Sequence, residues 1–439
     1  MKEKTPLEVS QDFEVRRYGR DCRELFFTDS NFINLNHASF GTIPEPVLRA
    51  CEALSRECER NPDLFIRGQL FDRSTRAREV VCQLLGADAD TCVFVSNVAT
   101  AMSNVLCSIS LTERDHIIYT DAVFESVSTA ILNIPSRPQT SVFKLAEGAL
   151  SHQSILARFR DHIREVQKQM DDKEANTVSL SIQPRKTVVV IESITASPGL
   201  LLPWREMVRI CREENALSIV DAAHSLGQEL NLNLKEVDPD FWMTNCSKWY
   251  YAHRGCAVLY VPIRNQGMIK TQLVPGTRYP TRGSTPPDFV HEFYWSGMID
   301  PIPFLSVEIA RSFRDKLGGE KAINDYCRSL AVTGGRLVSE KLGTSVMDQT
   351  EGNELTANIT NIELPLPPNI TPSKEIFFLY QDEMLDNHRV FAPAFYYMGK
   401  WWVRASAQIY NDLSDFEQLA HALAETCEKL IDCVVLRKK

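Results

Sequence analysis

The feature that most constrains the fold is an alternation between residues 72 and 261: short, continuous β-branched runs separated by longer stretches of helical period. "CVFVS" (92–96), "HIIYT" (116–120), "TVVVIE" (187–192), "LSIVD" (217–221), "FWMT" (241–244) and "CAVLYV" (256–261) are each apolar enough to be covered on both faces. Helical patterns fall around 72–86, 152–169 and 204–214. Strands alternating with helices predict βαβ units around a mainly parallel sheet. Past about residue 303 the pattern shifts to helices with fewer strands. The expected organisation is therefore an arm (1–30), a large α/β domain (31–302) and a smaller α+β C-terminal domain (303–439).

Three further segments carry local expectations. The polar stretch 170–186 reads as a surface excursion, and residues 273–290, rich in Pro, Gly and Thr, as a long loop. The last helix is expected to open on Ser414 and Glu417, which have capping-box spacing.

Composition narrows the function. With 439 residues there is ample material for a large core, and a net charge of −9 gives no general basic field for nucleic acid or an anionic membrane. The N-terminus lacks an apolar signal region and no run is long enough to span a membrane, so a cytoplasmic protein is expected. The 12 cysteines are scattered without CxxC or metal-like Cys/His spacing, so reduced thiols and no metal site are expected.

Two charged residues close strand-like runs. Asp221 ends "LSIVD" and is followed by His224, while Lys248 follows "FWMT" in "NCSKWYY". In an open α/β sheet, ligands bind at the carboxyl ends of strands. A carboxylate there is equally suited to capping the next helix. Together, however, a lysine amine that can form a Schiff base with an aldehyde and an aspartate that can hold a pyridine nitrogen protonated are what pyridoxal phosphate requires. A phosphate seat is offered by "FVSNVATAMSNVL" (94–106), a strand, a small polar turn and a helix start near Ala99 and Thr100. The same residues also describe an ordinary Asn/Thr turn.

The succession "FINLNHASFGTIP" (32–44), "SNVATAMSNVL" (96–106), "SIVDAAHSLGQ" (218–228), "NCSKW" (245–249), "EFYWSGMIDP" (292–301) and "VRASAQIYN" (403–411) resembles the class V aminotransferase family of fold-type I pyridoxal-phosphate enzymes. The resemblance runs in order from about residue 30 to 425, and its nearest branch is the isopenicillin N epimerase-like one. It implies Lys248 as the Schiff-base lysine, Asp221 as the partner of the pyridine nitrogen and His224 as a contact of the cofactor's phenolic oxygen. Ala99 and Thr100 match the phosphate turn. Phe124 sits where a ring stacks on the pyridine, and its other reading is a core aromatic. Arg404 matches the arginine that clamps a substrate carboxylate, a role suited to its bidentate fork, with a structural ion pair as the alternative. Asn36, His37 and Ser39 match the segment lining the substrate side. Ser247 and Met298 depart from the pattern, standing where relatives carry a phosphate-binding histidine and a threonine that reaches the partner subunit's phosphate.

The resemblance implies a homodimer and a small amino-acid-type substrate. No cysteine occurs between 330 and 420, and Cys327, Cys427 and Cys433 fall in helical patterns, which argues against persulfide carriage. The aromatic cluster "FAPAFYYMGKWW" (391–402) fits either a bulky substrate wall or small-domain core. These readings favour a specialised lyase or bond-forming cyclase of secondary metabolism, as in loline-type alkaloid pathways. A C–S lyase or cysteine desulfhydrase, an aminotransferase and a non-catalytic binding protein are the alternatives.

Overall fold

β-branched runs with apolar residues at every position, odd and even, have to be covered on two faces, and the chain meets that demand with one central sheet. The computed structural model describes residues 4–175, 184–269, 289–295 and 297–436. Its seven-stranded sheet is formed by β1 (Cys92–Val95), β2 (His116–Thr120), β3 (Gln139–Phe143), β4 (Thr187–Glu192), β5 (Leu217–Asp221), β6 (Phe241–Asn245) and β7 (Ala257–Tyr260). The spatial order is β1-β7-β6-β5-β4-β2-β3.

Successive residues of β4 show how the two faces are used. Val188 and Val190 pack with α1 (Val98–Ser108), through Ala101, Met102 and Val105. Val189 and Ile191 face the opposite way, toward α2 (His152–Ala175) and α3 (Trp204–Glu213). All four are essentially inaccessible to water, each contributing roughly 1.5–3 kcal/mol of burial free energy.

β7 departs from the parallel expectation: it is antiparallel to both β1 and β6. The segment between β6 and β7 contains no helix, and without a crossover the chain must turn back on itself. β3 was not anticipated. Its sequence, QTSVF, is polar because it forms a sheet edge with alternating exposure. α2 continues to Ala175, so residues 170–175 of the expected surface excursion are helical, while 176–183 lie outside the described residues. Of the expected loop at 273–290, residues 273–288 lie outside the described set, and Phe289–Tyr294 form a helix.

The C-terminal part builds a second core. β8 (Ile359–Glu363), β9 (Ala394–Tyr397) and β10 (Lys400–Ser406) form an antiparallel sheet in the order β9-β10-β8. Residues of α5 (Gly319–Leu342) and α6 (Leu413–Leu436) pack into the same core, and α4 (Ile302–Lys316) connects back to the large sheet's side. Ile33 and Leu35 join this second core, because Ile33–Asn34 pairs in parallel with Val390–Phe391. That pairing carries the segment after residue 35 across to the end of β10.

One local expectation is corrected, and one open alternative is decided. The cap of α6 is Asp412, whose carboxylate accepts from the Ser414 amide at 2.9 Å, while Asp415 reaches back to the Asp412 amide at 3.3 Å. Ser414 therefore lies inside the helix, where its hydroxyl donates to Asp412. Of the two readings of the aromatic cluster, its tryptophans take the core one. Trp401 and Trp402 are buried, with indole N–H groups on the Ile370 and Tyr397 carbonyls, and Phe391, Phe395, Tyr396 and Tyr397 pack against the two cores. Among the described residues no helix is long and apolar enough to cross a membrane.

Candidate active site

Because β7 is antiparallel to both its neighbours, β1 runs in the same direction as β4, β5 and β6, and the carboxyl ends of all four strands share one edge of the sheet. Asp221 closes β5 there, in register with Glu192 at the end of β4. β6 leads directly into the turn that carries Lys248, and β1 into Asn97, the N-cap of α1. These last two segments are tied together: Asn245, the final residue of β6, accepts the Val98 amide at 3.3 Å. The Asn97 side chain accepts the Thr100 amide at 2.8 Å, and Ala99 and Thr100 stand exposed at the helix start.

Lys248 is held at its amine. Nζ lies 3.2 Å from His224 Nε2, and the Trp249 indole donates to His224 Nδ1 at 3.2 Å. Burial pushes the Lys248 pKa down to about 8, with Asp221 opposing the shift and Arg404 adding to it. Burial, reinforced by the charges of Lys248 and Arg404, holds His224 well below the ordinary imidazole range. Asp221 is displaced upward by burial, against the Ala223 amide that it accepts at 3.0 Å and the charge of Lys248.

Arg404, on β10, reaches into this region from the second core. Its Nη1 donates to the Ala196 carbonyl, and its Nη2 donates to Asn36 Oδ1 at 3.0 Å and Ser39 Oγ at 2.7 Å. None of these partners is a carboxylate, and the buried Nε has no hydrogen-bond partner. Burial alone lowers its pKa to about 10. Asn36, Ser39 and Arg404 thus form one cluster, although they are separated by most of the chain.

His37 is placed differently. It is 1% exposed, and both ring nitrogens are engaged, Nε2 with the Lys248 carbonyl at 2.6 Å and Nδ1 with the Tyr410 hydroxyl at 3.0 Å. Burial takes its pKa down to about 4. With no nitrogen to spare, it braces the lysine's backbone and does not present itself to a substrate, which corrects its expected role. Phe124, at the start of a helix after β2, is 55% exposed, so the core reading of this ring is excluded. Ser247 is half-buried next to the lysine. Met298 is 67% exposed.

Three supporting residues escaped the sequence reading. Glu192 is buried, receives the Thr120 hydroxyl at 2.9 Å and leaves Oε1 without a partner. Burial, with the charge of Asp221 second, raises its pKa to about 8. Its signal was available: it ends an apolar strand just as Asp221 does. Gly41 has a positive φ of 65°, and a Cβ there would fall 2.4 Å from the Ser247 carbonyl, so only glycine lets the N-terminal segment lie against the lysine turn. Trp249 had no sequence signal, because its meaning depends on His224.

Comparison with known proteins bears on the fold and on the family the chain resembles. The family model described as Aminotransferase class-V matches residues 163–281. The L-cysteine desulfhydrase-like protein lolT1 of Epichloe uncinata is 28% identical, over 94% of this chain and 97% of its own length. The hercynylcysteine sulfoxide lyase of Schizosaccharomyces pombe is 27% identical, over 93% of this chain and 98% of its own. Among solved structures, the complex of the cystine C–S lyase C-DES with its product cysteine persulfide superposes with a TM-score of 0.69 at 16% identity, covering 90% of this chain and 98% of that one.

Proposed function

Taking the chain as a member of the class V aminotransferase family, we propose that it is a pyridoxal-phosphate-dependent lyase acting on an α-amino acid that carries a leaving group on its side chain, a sulfur substituent first of all. The donor set fits the cofactor. Lys248 offers an amine for its aldehyde, Asp221 a carboxylate for its ring nitrogen, the start of α1 at Ala99 and Thr100 a seat for its phosphate, and Phe124 an exposed ring for its face. When bound, the cofactor supplies a carbonyl that captures the substrate amine and a ring that withdraws electrons from the α-carbon.

The chain's own residues bind and move protons. Arg404 is the observation that carries the reading: a buried cation with no carboxylate partner and an unsatisfied Nε is a seat for the substrate's α-carboxylate. Asn36 and Ser39 orient the guanidinium. Burial draws the pKa of Lys248 down to about 8, which brings the neutral amine within reach near neutral pH, so that Nζ takes the α-proton and returns a proton to the leaving group's side. Elimination is preferred to sulfur relay because the exposed cysteine among the described residues, Cys107, lies near the far end of α1 from the site. The desulfhydrase and sulfoxide lyase names of the relatives support a C–S bond as the target.

A bond-forming reaction of secondary metabolism begins with the same proton removal and is the second reading. It is supported by Ser247 and Met298, which stand where family members carry histidine and threonine. A cytoplasmic homodimer belongs to the same proposal. The unpaired cysteines support that compartment, and the exposed apolar side chains of Phe40 and Met298 support a second subunit.

The test is direct. Protein reconstituted with pyridoxal phosphate is expected to show an imine band near ~420 nm that borohydride removes and that Lys248→Ala lacks. Incubation with cysteine and S-substituted cysteines should then release sulfide or thiol and a 2-oxo acid in equal amounts. A 2-oxo acid formed only when an amino acceptor is present, without sulfur release, would replace the lyase by an aminotransferase.

A further inference from the structure

The triad of Trp249, His224 and Lys248 allows one assignment of protons. An indole N–H donates and never accepts, and at Trp249 it meets His224 Nδ1 at 3.2 Å in a buried setting. Nδ1 must therefore present its lone pair. A neutral imidazole carries one proton, so that proton is on Nε2. Nε2 in turn lies 3.2 Å from Lys248 Nζ. A donor at Nε2 needs an acceptor, and a lysine nitrogen accepts only as a neutral amine. An ammonium at this position would set donor against donor, and an imidazolium would do the same against the indole.

We propose that Trp249 is a positioning residue that locks His224 in its Nε2–H tautomer and thereby biases Lys248 toward the free amine, the form that reacts with an aldehyde and accepts a proton. The function of the lock rests on the lyase reading above, while the lock itself is a property of the cofactor-free protein. The surrounding charges act in both directions. Asp221 favours the ammonium, and Arg404 opposes it. His37, packed 5.2 Å from the Trp249 ring, bonds to the Lys248 carbonyl and leaves the amine alone. The indole donor adds direction to this balance, because it decides which imidazole nitrogen faces the amine. Gln228 donates to the His224 backbone carbonyl at 2.8 Å, so the residue is anchored at its main chain as well as at its ring. The same tautomer presents an N–H donor toward the site once the amine is engaged elsewhere, which suits an anionic phenolic oxygen.

The experiment is 15N NMR of histidine-labelled, cofactor-free protein, with the His224 signals identified by their loss in His224→Gln. The wild-type protein is expected to show a bare Nδ1 and a protonated Nε2 at neutral pH. Trp249→Phe keeps the ring and removes the donor. In this variant the tautomers should mix or invert, and the pH midpoint for imine formation at Lys248 with pyridoxal phosphate should rise by about one unit, slowing the reaction roughly ten-fold at neutral pH. A protonated Nδ1 in the wild-type spectrum overturns the proposal whether or not the variant folds. So does an unchanged tautomer and midpoint in a folded Trp249→Phe. A locked tautomer in a protein that forms no imine would instead remove the cofactor reading and leave the lock standing.

Discussion

Arg314 and Arg404 are both buried guanidiniums close to the lysine turn, and their surroundings are opposite. Arg314, on α4, donates to both oxygens of Glu320 at 2.5 and 2.7 Å and to the Trp249 carbonyl at 2.8 Å, and it lies 5.0 Å from the ring centres of Tyr250 and Tyr251. Burial works against its charge, but Glu320 and the tyrosines outweigh it and hold the pKa above the ordinary arginine value. Arg404 has carbonyl, amide and hydroxyl oxygens but no counter-ion, one N–H without a partner, and a lowered pKa. A satisfied buried cation reports on the scaffold. An unsatisfied one reports on what the site is built to receive.

The comparison is broken most easily at Arg314. Arg314→Leu should cost about 3–5 kcal/mol in urea unfolding, since it strips a counter-ion from Glu320 and a donor from the backbone that carries Lys248. A loss below about 1 kcal/mol would mean that the pair is no more structural than a surface bridge. Arg404→Leu should behave in the reverse way. Stability should change little, while kcat/KM for amino-acid substrates should fall by roughly 30- to 1,000-fold, the loss of about 2–4 kcal/mol of carboxylate binding. Lysine at this position should recover only part of the activity, because it lacks the planar fork. Equal damage to stability and activity would make Arg404 a second Arg314.

Glu192 extends the contrast to a carboxyl group. Its folded pKa of about 8 lies above the ordinary glutamate value, so between about pH 4.5 and 8 the folded protein binds a proton that the unfolded chain releases. The contribution is fully present below this window and is lost as pH rises through it, by an amount on the order of a few kcal/mol. The histidines with lowered pKa values, among them His37 and His116, push the other way at the acid end. The informative quantity is therefore the difference between wild type and Glu192→Gln in denaturant melts at pH 5 and pH 8. The variant should lack the downward term. Parallel pH profiles would show that Glu192 is ionised beside Asp221.

The parts legible in the sequence share a physical reason. Runs such as TVVVIE can only be buried strands, and charged residues at their ends mark the sheet edge where ligands meet the chain. Lys248, Asp221 and the Asn97–Thr100 turn were found that way, and the observed edge brings all of them together. The misreadings and the open choices lie where two local solutions compete. Ser414 has the spacing of a cap, but the Asp412 carboxylate plays that part and takes the Ser414 amide itself. The residues from 391 to 402 suit a pocket wall or a core, and two bonded, buried indoles decide for the core. His37 sits beside Asn36 and Ser39 in sequence yet turns inward, because the short helix holding it faces the lysine's backbone.

Sequence alone determined the doubly covered sheet and the lysine and aspartate at its edge, since hydrophobic period and residue chemistry are local properties, whereas Arg404 was picked out only through the resemblance to a family. Tertiary structure decided which charges were satisfied. Whether an arginine meets a carboxylate, whether a glutamate keeps its proton and which nitrogen of His224 carries hydrogen all depend on groups brought together from distant parts of the chain. Desolvation, which sets the energy of each of these choices, exists only once the chain has closed around them.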